Sequence, residues 1–259
     1  MVLVVGNTSE GRQLIRSLCH AGYQIIAWTN STYGEHLAQQ DGASIIVTNP
    51  LTEDNLTSLV KDKKLEAIID ATLPYPNQES RILENWCQHN KISYLRFLRA
   101  ETQLPHDKLI HQVKTWEEAA RTAAKLGNTI FLTTGTNNLE VFVKNPALKG
   151  KRIVVRVLPE HRVIKKCQDF GLTPREIVAM QGPFSKDLNR ILFKTFKADV
   201  IVTRDAGPSG GTDSKISAAL ALKIPVVIIK RPVIKYRYPV YSVEEAIALL
   251  RKISPLKEV

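Results

Sequence analysis

Two loops in this chain gather residue types that bind anions. Gly6-Asn-Thr-Ser-Glu-Gly-Arg12 lies between the apolar run Val2–Val5 and a helical pattern. A turn of this kind presents backbone N–H groups at a helix N-terminus, where they attract phosphate, and glycine lets the phosphate approach. Thr8 and Ser9 add hydroxyl donors. The full Gly-x-Gly-x-x-Gly pattern is absent, because Thr8 stands at the middle glycine, and a tight strand–helix connection would need glycine too. After the second strand, Trp28-Thr-Asn-Ser-Thr-Tyr33 offers no carboxylate before Glu35. An acidic residue there would accept bonds from a ribose 2′-hydroxyl, so its absence leans toward a 2′-phosphate and NADPH, with NADH the alternative.

The second loop is Asp205-Ala-Gly-Pro-Ser-Gly-Gly-Thr-Asp-Ser-Lys215. It contains Gly-x-Ser-x-Gly, but a nucleophile elbow needs a His after the Ser, and none follows His161. Lys215 lacks the preceding glycine that a P-loop requires. What remains is a loop that opens a helix with hydroxyls and one Lys, suited to an anion. Arg96, Arg99, Lys230 and Arg231 stand near strand ends, where α/β proteins bind ligands, and Arg suits carboxylates. The three cysteines and six histidines show no metal spacing. No Tyr-x-x-x-Lys pair is present, which argues against a Rossmann enzyme of sugar or nucleotide metabolism.

The elements that must hold these loops alternate as short apolar runs and helical periods, the pattern of a parallel α/β sheet. One series runs from Val2 to Arg96. Arg99–Lys114 has no clean period and reads as the crossing between domains. A second series follows to Lys252, with Ser185 and Ser242 as helix N-caps. The expected domains are therefore 1–98 and 99–259. Through Leu95 there are 7 Lys and Arg against 10 Asp and Glu; from Arg96 onward there are 29 against 15. The basic half calls for a polyanionic partner. Nucleic acid fits poorly, because aromatics are 7% and do not interleave with the basic residues. A non-catalytic nucleotide or nucleic-acid binder is nonetheless the alternative reading. No apolar run approaches the roughly 20 residues that cross a bilayer. Val2–Val5 reads as a first strand rather than a secretory signal, and a cytoplasmic setting is expected.

Taken in order, Gly6–Arg12, Ile69-Asp-Ala-Thr-Leu-Pro-Tyr75, Tyr94-Leu-Arg-Phe-Leu-Arg99, Leu132-Thr-Thr-Gly135 with Asn138-Leu139, Val155-Arg-Val-Leu-Pro159, Ala179-Met-Gln-Gly-Pro-Phe-Ser185, Gly210-Gly-Thr-Asp-Ser-Lys215 and Ile228-Ile-Lys-Arg-Pro232 resemble the precorrin-6A reductase family. The chain departs from the family at Leu73, where His is usual, and at Asn7, where Gly is common, so no imidazole at 73 donates a proton. The resemblance implies two Rossmann-like domains with mainly parallel sheets and a cleft between them. It implies NAD(P)H-dependent reduction of one double bond in precorrin-6A or its cobalt complex. The partner is then a polycarboxylate tetrapyrrole, with neither nucleic acid nor membrane, and with transient contacts to neighbouring pathway enzymes. On this reading Gly6, Thr8, Ser9, Glu10, Gly11, Arg12, Thr29 and Asn30 hold the cofactor, and Thr72 and Tyr75 line its nicotinamide. Arg96, Arg99, Thr134, Gln181, Ser185, Thr212, Lys215 and Arg231 bind substrate carboxylates. Asp70 reads as structural, no metal is expected, and the proton donor is unassigned.

Overall fold

The computed structural model describes residues 1–253 apart from Asn7, Asn30, Ser31, Asp62, Pro74, Pro76, Asn77, Asn137, Val233 and Lys235, and apart from the Thr32 side chain. The chain begins with β1 (Val2–Val5), α1 (Ser9–His20), β2 (Ile25–Trp28), α2 (Thr32–Gln40), β3 (Ile45–Val47), α3 (Glu53–Lys61), β4 (Ala67–Asp70), α4 (Gln78–Asn90) and β5 (Ser93–Phe97). It continues with β6 (Ile110–Val113), α5 (Trp116–Leu126), β7 (Thr129–Leu132), α6 (Leu139–Val143), β8 (Arg152–Val157), α7 (His161–Asp169) and β9 (Ile177–Ala179). After these come α8 (Lys186–Thr195), β10 (Val200–Arg204), α9 (Thr212–Ala221), β11 (Val226–Ile229), β12 (Pro239–Val240) and α10 (Val243–Ile253).

Two compact units result: Met1–Ala100 with Val233–Val259, and Glu101–Pro232. The first sheet runs β12-β5-β4-β1-β2-β3 and the second β6-β11-β10-β7-β8-β9. Every neighbouring pair is parallel. Both follow the 3-2-1-4-5-6 order of a dinucleotide-binding fold. In each sheet the sixth strand comes from outside the βαβ series: β12 arrives after the second unit, and β6 precedes the second series.

Burial on both faces explains the apolar strand sequences. Val2 and Val4 of β1 pack with Leu14, Ile15 and Leu18 of α1 and with Ala246 and Leu250 of α10. Leu3 and Val5 point the other way, onto Leu56 of α3 and Leu83 and Trp86 of α4. In the second unit Ile130 and Leu132 meet Ala119, Ala120 and Ala123 of α5, while Phe131 meets Phe193 of α8 and Ile216 of α9. The expected caps form: Ser185 Oγ accepts from Leu188 N–H at 3.2 Å, and Ser242 Oγ from Glu245 N–H at 3.1 Å.

Two expectations about organisation are corrected. The stretch Arg99–Lys114 is not only a crossing, because β6 lies within it. As an edge strand with half-exposed Ile110 and His111, it carries no apolar alternation to reveal it. The second domain also does not run to the C-terminus. β12 pairs with β5, and α10 buries Val243, Ala246 and Leu250 in the first core. A two-residue strand that begins with Pro gives no propensity signal.

Candidate active site

In the first unit the candidate residues gather at the carboxyl ends of β1, β2, β4 and β5, beside the β1/β4 switch point where such sheets bind ligands. Thr8 is the N-cap of α1. Its Oγ1 accepts from Gly11 N–H at 3.0 Å and donates to the Ala71 carbonyl at 3.1 Å. That hydroxyl is therefore used within the fold. The glycines answer to packing. Gly6 has φ +131°, and a Cβ there would lie 2.7 Å from the Ala71 backbone; a Cβ on Gly11 would lie 2.6 Å from the Gly6 carbonyl oxygen. The turn thus sits hard against the end of β4. The amide N–H groups of Thr8 and Ser9 have no protein acceptor among the described residues. Free amides at a helix N-terminus fit a cofactor phosphate.

Charges around this turn are arranged differently from the sequence expectation. Arg12 turns to Asp41, beyond α2, with Nε and Nη2 donating at 2.6 and 3.1 Å. A buried carboxylate in bidentate range thus holds the expected phosphate ligand, with a third of the Arg12 side chain still exposed. Glu10 pairs with Arg99 at 2.7 Å, both nearly buried, so a predicted cofactor residue and a predicted substrate residue neutralise each other. Ser9 is exposed, and its Oγ donates to Glu10 Oε2 at 3.0 Å. Thr29 is buried, its N–H donating to Val47 O at 2.9 Å. Asn30 lies outside the described residues. Tyr75 is half-buried.

Below the turn lies a fully buried ion pair. Arg96 Nη1 donates to Asp70 Oδ1 at 2.5 Å, to Asp70 O at 3.0 Å and to Thr72 Oγ1 at 3.0 Å; Nη2 donates to Leu73 O at 2.8 Å. Asp70 further accepts from Thr72 N–H and Oγ1, from Ser80 Oγ at 2.5 Å and from Tyr94 OH at 2.7 Å. Burial first, and then the Asp70 charge, raises the Tyr94 pKa and keeps the phenol protonated. Arg96 is 0% exposed, so its assignment to substrate is corrected: it fixes the loop after β4. Asp70 is the shared acceptor of this buried cluster. Thr72 belongs to the same cluster.

In the second unit the candidates stand after β7 (Thr134), β9 (Gln181, Ser185), β10 (Thr212, Lys215) and β11 (Arg231), again at carboxyl ends. Asp205 organises the loop. Its Oδ1 accepts from Thr102 Oγ1 at 2.5 Å and from Gly207 N–H at 3.0 Å, and its carboxylate pairs with Arg231 at 3.1 Å. Arg231, expected to meet substrate, thus anchors this loop. Thr212 is 0% exposed, its hydroxyl accepting from Ala206 N–H at 3.0 Å. Gln181 and Ser185 are exposed. Thr134 Oγ1 is buried without a hydrogen-bond partner. Lys215 is buried in the first turn of α9, donating to Gly210 O at 2.9 Å. Burial, then the charges of Arg156 and Arg204, lowers its pKa to about 7. Arg156 itself was not anticipated. The signal was a charge within residues 153–157, a run otherwise apolar and buried.

Two parallel sheets in this strand order, with the candidate residues at their carboxyl edges, define a doubly wound α/β protein of the Rossmann class. The family model described as "Precorrin-6x reductase CbiJ/CobK" matches residues 1–251. The chain belongs to that family, the oxidoreductases of cobalamin biosynthesis that act on a carbon–carbon double bond of the precorrin macrocycle. It is 34% identical to cobalt-precorrin-6A reductase of Priestia megaterium, over 96% of this chain and 98% of that protein. It is also 34% identical to cobalt-precorrin-6A reductase of Methanocaldococcus jannaschii, over 99% of both. Precorrin-6A reductase of Rhodococcus erythropolis is 29% identical over 69% of this chain and 68% of that one. The solved structure titled "CobK precorrin-6A reductase" has the same fold, with TM-score 0.75 at 21% identity, covering 98% of this chain and 96% of that one. The family implies a nicotinamide cofactor. Among the described residues, no helix is long and apolar enough to cross a membrane, and no group of three or more His, Cys, Asp and Glu could hold a metal.

Proposed function

We propose that this chain reduces cobalt-precorrin-6A with NADPH, the first unit taking the cofactor and the second the carboxylates of the macrocycle. The carrying observation is the similarity, at 34% identity over nearly the full length, to two proteins named cobalt-precorrin-6A reductase. The lack of an acidic residue at the end of β2 supports NADPH, because Asp41 is engaged by Arg12 and Glu35 lies on α2. A bound nicotinamide would supply the hydride. The chain's part is positioning. The free amides of Thr8 and Ser9 would hold a phosphate, and the Glu10–Arg99 pair leaves no net negative charge beside it. Tyr75 would border the nicotinamide, with Thr72 and Arg96 fixing the loop behind it. Thr134, Gln181, Ser185 and Lys215 would meet substrate carboxylates. Three free thiols support a reducing cytoplasmic setting.

The test mixes the protein with NADPH or NADH and with precorrin-6A or its cobalt complex, following cofactor absorbance and the macrocycle spectrum. Stoichiometric NADPH oxidation with the cobalt complex is the expected result. No turnover with any pair by a cofactor-binding protein removes the substrate assignment. In the same assay Lys215→Ala should raise substrate KM by about 10-fold or more with little change in cofactor KM. Equal effects on both would take Lys215 off the substrate side.

A further inference from the structure

Arg156 and Lys215 are both more than nine-tenths buried, yet neither has a carboxylate partner among the described residues. Arg156 rises from β8. Its Nη1 donates to Asn189 Oδ1 of α8 at 2.7 Å, and its guanidinium carbon stacks 3.8 Å from the centre of the Phe184 ring. Its other N–H groups have no acceptor among the described residues. Lys215 lies on α9, which packs against α8 on the same face of the sheet, and its ammonium donates to Gly210 O. Burial alone holds the Arg156 pKa down to about 10, and the Arg156 charge works against the Lys215 ammonium. Isolated buried cations cost free energy unless an anion compensates them. Buried Arg96 has that compensation from Asp70, and the Arg231 side chain has it from Asp205.

We propose that Arg156 and Lys215 form one carboxylate pocket of the second unit, with Arg156 gripping an acidic side arm of the macrocycle through its open guanidinium edge. Stacking on Phe184 and the bond to Asn189 hold the guanidinium plane in place, as two-point binding of a carboxylate requires. Asn189 is itself locked, its amide donating to Ser185 O at 2.9 Å. Lys215 adds a second positive charge to the same anion. The unit that holds them carries 22 Lys and Arg against 12 Asp and Glu, which draws a polycarboxylate toward it. The identity of the anion rests on the reading of the substrate given above; the pocket itself rests on the two uncompensated cations.

The experiment measures equilibrium binding of precorrin-6A and of its cobalt complex to the full-length protein by absorbance, without cofactor, and NADPH binding separately. Wild type, Arg156→Gln and Arg156→Lys are compared, with thermal melts for each. Arg156→Gln should weaken macrocycle binding about 10- to 100-fold. Arg156→Lys should recover only part of it, since the charge returns without the fork. NADPH affinity should be unchanged in both. Unchanged macrocycle affinity in either folded variant overturns the proposal. So does a loss of NADPH affinity with macrocycle binding kept, which would assign the pocket to a phosphate. If wild type binds neither form of the macrocycle, the substrate reading fails, and tricarballylate then probes the pocket alone. A melting temperature that this tricarboxylate raises in wild type but not in Arg156→Gln sustains the pocket. No rise in wild type overturns it.

Discussion

Lys215 links the candidate site to stability through one proton. In the folded chain it releases that proton at about 7 against an ordinary 10.5, chiefly because of burial. Between those values the unfolded chain holds more protons, so stability should rise with pH. Below about 7 both states are charged and the slope from this group vanishes. Urea unfolding from about pH 7 to pH 9 should show that rise, and Lys215→Met should flatten it. An equally steep rise in the variant would mean that Lys215 is solvated in the folded protein. Arg96 is the opposite case, a buried cation with a matched carboxylate. Arg96→Leu leaves Asp70 buried without its ion-pair partner and should cost about 3–5 kcal/mol of unfolding free energy. Adding Asp70→Asn should restore part of that loss. An Arg96→Leu protein of wild-type stability would contradict the anchoring role. These two residues were both visible as basic groups near candidate loops. Their different fates were not visible, because a sequence does not say which carboxylate a side chain will meet.

The β1–α1 turn shows how an element's packing serves the site. Thr8 caps α1 and also ties it to Ala71 after β4, and Gly11 lies where any side chain would press on the Gly6 carbonyl. Gly11→Ala should therefore displace α1 and its free amides, weakening NADPH binding more than macrocycle binding. Titrating both ligands against the variant checks this; an unaltered NADPH affinity would separate the turn from the cofactor. Most of these elements could be read from the chain. The runs Val2–Val5, Ile25–Trp28 and Ala67–Asp70 are apolar because both faces of a parallel strand are buried. α2 and α7 were not read. Thr32–Gln40 opens after a polar loop, and His161–Asp169 buries one residue, Cys167, so neither has a broad apolar stripe. Arg156 escaped for a related reason: its strand's apolar run hid a charge inside what looked like core.

Across the molecule, the returning C-terminal segment redraws the charge map. With β12 and α10 assigned to the first unit, that unit holds 14 Lys and Arg against 13 Asp and Glu, and the second holds almost all of the net +11. The basic second half read from the chain thus becomes one basic unit, a sharper match to a polyanionic substrate. The same segment makes distant residues part of the first core. Leu250 is 0% exposed among residues from β1, α1 and β5. Leu250→Ala should cost about 2–5 kcal/mol. Limited proteolysis should then show the first unit opening while Glu101–Pro232 stays protected; loss of both together would mean that the units unfold as one. Local patterns in the chain, its periodicities, glycine turns and eight ordered motifs, carried the fold class and the family, because those depend on neighbours a few residues apart. Pairing was settled only in three dimensions. Folding spends Arg12, Arg96 and Arg231 on carboxylates 29, 26 and 26 residues away, and leaves Arg156 and Lys215 without one among the described residues. Compensation of a buried charge depends on what the fold brings within a few ångströms, which local sequence does not encode.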